Sequence, residues 1–167
     1  RRGTLILAAT LLAGASAPAW QTPERASVSS SEIQGNDRSS VSSISGDGRY
    51  VAFDSYASNL VSYDTNGLSD VFIRDRTKGT TKGLTVLQWA PAGTYSSTSR
   101  NPEISKDGKY VAFESRSSNL VVGDTNGAFD IFVYSAVTNG ITRVSVSPQP
   151  APIGRACANA DTFVLDD

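Results

Sequence analysis

The residues best placed to do chemistry are two copies of one acidic loop, D-T-N-G-x-x-D, running from Asp64 to Asp70 and from Asp124 to Asp130. Asp64, Asn66 and Asp70, and again Asp124, Asn126 and Asp130, set side-chain oxygens around an Asn-Gly turn. Calcium takes about six to eight oxygens in flexible geometry, so it is the ion such a loop suits. The loop is shorter than an EF-hand and lacks its terminal Glu, so backbone, water or a neighbouring unit would have to complete the ligand set. An Asx-turn explains the same residues without metal: the Asn-Gly pair supplies left-handed backbone, and the last Asp starts the next strand. Both readings stand at this level.

Other chemistry is restricted by what the chain lacks. It has no histidine among its 167 residues, which removes the commonest general base at neutral pH and the commonest metal ligand. A Ser-His-Asp or Cys-His site therefore cannot be assembled. Asp54 and Glu114 occupy corresponding places and invite an acid/base pair, but equivalent positions in repeats share a scaffold role, so no catalytic residue and no enzymatic activity is assigned. The single cysteine, Cys157, forms no internal disulfide and receives no role. Trp20 and Trp89 could stack on a sugar, or belong to a mature terminus and an inter-repeat loop. With 15 basic and 16 acidic side chains the chain has no electrostatic footprint for nucleic acid.

The elements that must position these loops come from an internal repeat. S-G-D-G-R-Y-V-A-F-D-S at Ser45–Ser55 recurs as S-K-D-G-K-Y-V-A-F-E-S at Ser105–Ser115, an offset of 60 residues. The same offset carries Ser58–Val61 onto Ser118–Val121, Asp64–Phe72 onto Asp124–Phe132, and Leu84 and Val86 onto Val144 and Val146. Each unit reads as four short strands separated by turn formers: about Val41–Ser45, Arg49–Ser55, Asp70–Asp75 and Thr81–Gln88, then Pro102–Ser105, Lys109–Ser115, Asp130–Ser135 and Ile141–Ser147. Y-V-A-F and V-F-I are continuous apolar runs, which predicts strands buried on both faces, as in stacked four-stranded blades.

These motifs, closed by T-R-V-S-V at Thr142–Val146, resemble the TolB-type (WD-repeat-like) propeller repeats of exported bacterial proteins, over Arg25 to Ser147. The resemblance implies an all-β fold and a propeller of six or so blades, periplasmic or extracellular, used as a binding scaffold and sometimes joined to a hydrolase domain. The expected architecture is a β-propeller fragment: two four-stranded antiparallel blades (repeats about 45–86 and 105–146), plus an N-terminal closing strand at Arg25–Ser29, whose R-A-S-V-S resembles the closing strand of a blade.

Arg1 and Arg2, the apolar run Leu5–Ala15 and the A-P-A of Ala17–Ala19 follow the order of a secretory signal peptide, expected to be removed after Ala19; a short buried helix or a retained anchor is the rival. Residues 20–147 then hold the blades, and 148–167 form a tail that does not restore the repeat. The expectation is a non-catalytic, exported binding or scaffold module, probed by a protein or saccharide ligand at its end loops, in contact with a membrane only during export. Two blades also predict self-association through uncovered faces. The alternatives are the propeller portion of a secreted hydrolase, and a small protein that closes its ring by oligomerising.

Overall fold

In the computed structural model, which describes residues 23–86 and 97–146, eight strands form two four-stranded antiparallel sheets. The first contains β1 (Ser39–Ile44), β2 (Tyr50–Ser55), β3 (Asp70–Asp75) and β4 (Thr80–Gly83). The second contains β5 (Ser99–Ile104), β6 (Tyr110–Ser115), β7 (Asp130–Ser135) and β8 (Gly140–Arg143). Each sheet is a meander in chain order, and the described residues include no helix. The segment expected to be a signal peptide, Trp20, Trp89, Cys157 and the expected tail lie outside the described residues.

Local chemistry explains each reversal. In the β1–β2 turn Asp47 accepts hydrogen bonds from the Ser45 hydroxyl at 2.6 Å and the Arg49 amide at 3.0 Å, while Gly48 takes φ of +72°. A side chain there would be strained, which is why Gly stands at this point and at Gly108, φ +73°. The fourth strands end earlier than expected, at Gly83 and Arg143. The reason is a side chain: the Val71 amide donates to the Thr85 hydroxyl at 3.0 Å, and the Ile131 amide to the Ser145 hydroxyl at 3.0 Å, replacing the next rung of each ladder.

The sheets stack in repeat order. One face of the first sheet carries Ala52, Val71 and Ile73; the opposite face of the second carries Val111, Phe113, Phe132 and Tyr134; together they form one core. The other face of the first sheet carries Phe53 and Phe72, packed with Ala57, Leu60 and Val86. In both sheets the paired phenylalanines stack, with centroids 5.7 Å apart for Phe53–Phe72 and 5.8 Å for Phe113–Phe132. Fully burying one such ring is worth about 1.5–3 kcal/mol. The sheets converge at β5, which lies against β1, β2 and β3, and spread towards β4 and β8, the wedge of adjoining propeller blades.

Two expectations need correction in detail. Arg25–Ser29 does not form a strand of either sheet; the described segment has only an isolated bridge between Val28 and Gln34. Each sheet already has four strands of its own, so the segment instead caps the first one. The Ser30 hydroxyl accepts from the Thr81 amide at 2.9 Å and donates to the Thr81 carbonyl at 3.3 Å, closing the open edge of β4. Burial on both faces holds for β2 and β3, but β6 and β7 alternate between buried and accessible positions, because nothing among the described residues covers their far face.

Candidate functional site

The D-T-N-G-x-x-D loops connect β2 to β3 and β6 to β7, and they are built alike. The Asn66 carboxamide oxygen accepts from the Leu68 amide at 2.8 Å, and that of Asn126 accepts from Ala128 at 2.9 Å, which are Asx-turns. The other end of each carboxamide donates to the last aspartate, Asn66 to Asp70 at 2.7 Å and Asn126 to Asp130 at 2.9 Å. Thr85 donates to Asp70 at 2.6 Å, and Ser145 to Asp130 at 2.6 Å. The turn, the strand start and the end of the fourth strand are thus tied through one carboxylate.

The electrostatics of the two loops are opposite. Arg143 Nη1 lies 3.1 Å from Asp124 Oδ1 and 3.6 Å from Asp130 Oδ2. The Ser145 hydrogen bond, with that of Asn126 and the Arg143 charge adding to it, holds Asp130 below the usual carboxylate range against the effect of burial. In the first repeat burial dominates and pushes Asp70 up to about 6, with the Thr85 and Asn66 hydrogen bonds opposing it. Burial also raises Asp64, and the Asn66 amide opposes that rise without reaching hydrogen-bond geometry. Among the described residues, no three His, Cys, Asp or Glu side chains gather as for a metal ion.

The remaining sequence candidates are occupied separately. Asp54 accepts from the Ser40 hydroxyl at 2.7 Å, whereas Glu114 pairs with Arg100 at 3.0 Å; each bond stays within its own sheet. Sequence reasoning missed a different feature, an open cleft of about 350 Å³ in the wedge between the sheets, lined by Tyr63, Lys82, Leu84, Leu120, Tyr134 and Ile141. Lys82 Nζ donates to the Tyr134 hydroxyl at 3.0 Å and lies 4.7 Å from its ring centroid. The cleft needs residues 52 apart in sequence, and only the stacking order of the sheets reveals it.

Two stacked meanders converging on their first strands define blades of the β-propeller type. The chain is similar to TolB from Acinetobacter baumannii, at 17% identity and a TM-score of 0.40, covering 66% of this chain and 22% of that one. It is also similar to a protein assigned as TolB from Agrobacterium tumefaciens, at 20% identity and a TM-score of 0.24, covering 70% of this chain and 48% of that one. It therefore spans less than half the length of either. No protein-family model and no curated protein matches it.

Proposed function

We propose that the chain is a non-catalytic binding and scaffold module of the β-propeller type, exported to the periplasm or the cell exterior, and a portion of a longer propeller. The inter-sheet cleft carries this reading: aromatic, apolar and one cationic side chain meet there, with no histidine in the chain and, among the described residues, no paired carboxylates facing it. Tyrosine faces suit a sugar ring, and Lys82 suits an acidic group, so the ligand class is a saccharide or an acidic peptide segment. Export is supported by the charged, apolar and small-residue order of Arg1 to Ala19.

Saturation-transfer NMR of the whole chain with chito- and malto-oligosaccharides and with short acidic peptides tests the reading. One probe class should receive saturation, and Tyr63→Ala should weaken it. Absence of transfer to every probe, or conversion of any probe into products, would overturn it.

A further inference from the structure

The acidic loops share every internal hydrogen bond described above and differ in what stands at the end of the fourth strand. The second repeat has Arg143 there, and its guanidinium lies between Asp124 and Asp130. Sixty residues earlier stands Gly83, which has no side chain to offer. Nor is there room for one, because a Cβ at Gly83 would lie 2.9 Å from Val86 Cγ2. The adjacent Lys82 projects from the other face of the strand, into its contacts with Tyr134 and Asn139.

Asp64 is left as the exceptional group. It is 5% exposed, and neither carboxylate oxygen meets a hydrogen-bond partner among the described residues. A buried carboxylate is tolerated when a positive charge or hydrogen bonds replace its lost hydration. Asp124 obtains that charge from Arg143. The same protein thus shows, in its second copy, where a positive charge belongs in its first.

We propose that the Asp64–Asp70 loop binds a hard divalent cation, calcium by its preference for oxygen, at the place that corresponds to the Arg143 guanidinium in the second repeat. Asp64 supplies both carboxylate oxygens, and Asp70, whose oxygens each accept one hydrogen bond, retains lone pairs for the same ion. The Asn66 carboxamide oxygen accepts from the Leu68 amide. Backbone oxygens and water complete the shell. With so few charged ligands the affinity falls in the weak, extracellular range of about 10⁻⁴–10⁻³ M.

Calorimetric titration of the whole chain with calcium chloride, and its melting temperature in millimolar calcium against chelator, test the site. One ion per chain and a rise in Tm of roughly 2–6 °C are expected, since a ligand bound only by the folded state stabilises it. Asp64→Asn should abolish the rise, and in chelator should melt above the wild type because a buried unpaired charge has gone. Asp124→Asn should keep the rise. Arg143→Ala should add a second ion per chain. An unchanged Tm for the wild type, an Asp64→Asn variant that keeps the calcium increment, or one that melts below the wild type in chelator would overturn the proposal. If Arg143→Ala fails to fold, the Asp64 and Asp124 variants still decide.

Discussion

The two repeats present the same strands to different surroundings. In the first, Val71 is fully buried; in the second, its counterpart Ile131 is 40% exposed. Phe72 and Phe132, on the opposite faces, are both fully buried. Burial in this protein is therefore a property of which neighbour a face has, and the near-identical Y-V-A-F strands carry no instruction that separates the two cases. The first sheet has the second on one side and its own N-terminal segment on the other. Among the described residues the second sheet has the first on one side only, leaving Tyr110, Phe129 and Ile131 accessible.

The sharpest way to break this comparison is to place a charge on each copy of the shared face. Val71→Asp buries an unpaired carboxylate within the inter-sheet core, at a cost of several kcal/mol, on the order of the whole stability of a small domain. Ile131→Asp should change stability by about 0.5 kcal/mol or less, as for an ordinary surface substitution. Urea unfolding of the two variants measures both. If the far face of the second sheet is covered in solution, by a second copy for example, Ile131→Asp will also be costly and sedimentation will show the dissociation.

How much of this was legible beforehand follows the same division. The D-G-[RK]-Y-V-A-F and D-[VI]-F strings located β2, β3, β6 and β7 to within a residue, because turn chemistry and β-branched or aromatic runs are local signals. The repeat offset and the stacking it implies were legible too, since continuous apolar runs in both copies call for a neighbour on each face. The N-terminal segment was not: R-A-S-V-S was read as the strand that completes the last blade, and its packing against the first sheet through Ser29 and Ser30 has no local signal. The contrast between Gly83 and Arg143 is visible at the repeat offset. Its meaning appears only once the loop is seen to fold back over the strand end, bringing Asp124 to Arg143 across 19 residues.

A second, smaller test concerns how the N-terminal segment covers its face. Arg74 and Tyr134 are repeat equivalents, and both reach to the preceding neighbour. Arg74 donates to the Ser29 carbonyl at 3.1 Å and pairs with Glu32, while the Tyr134 hydroxyl accepts from Lys82. The Arg74 side chain is 3% exposed and that of Glu32 is 66% exposed. Glu32→Ala should cost about 1–2 kcal/mol, between exposed and buried ion pairs, because the guanidinium keeps Ser29 and Thr81 as partners. Limited proteolysis should then cut the segment faster while leaving the second sheet unaffected. Equal protection in variant and wild type would show that the cap is held by Val28, Ser30 and Thr81 alone.

The smallest expected effect is pH-dependent and also separates the repeats. Asp75, at the end of β3, pairs at 2.7 Å with Arg49, the residue before β2, whereas the second repeat has Ser135 and Lys109 at those places. The Arg49 hydrogen bonds hold the Asp75 carboxyl below its ordinary value, with the Thr77 and Lys78 amides adding to the effect. A carboxylate lowered in the folded state stabilises it fully above its unfolded pKa of about 3.9, and that contribution disappears as pH falls through the lower folded value. The partner Arg49 side chain is 33% exposed, so solvent screening limits the contribution to about 1 kcal/mol or less. Asp75→Ser copies the second repeat into the first. Its urea midpoint should lie below that of the wild type at pH 7, and the two should converge as the pH falls below the unfolded value of about 3.9 and on through the lower folded value. A gap that persists undiminished at low pH would assign the contribution of Asp75 to the turn amides it caps rather than to its charge, and the two repeats would then differ here in turn chemistry alone.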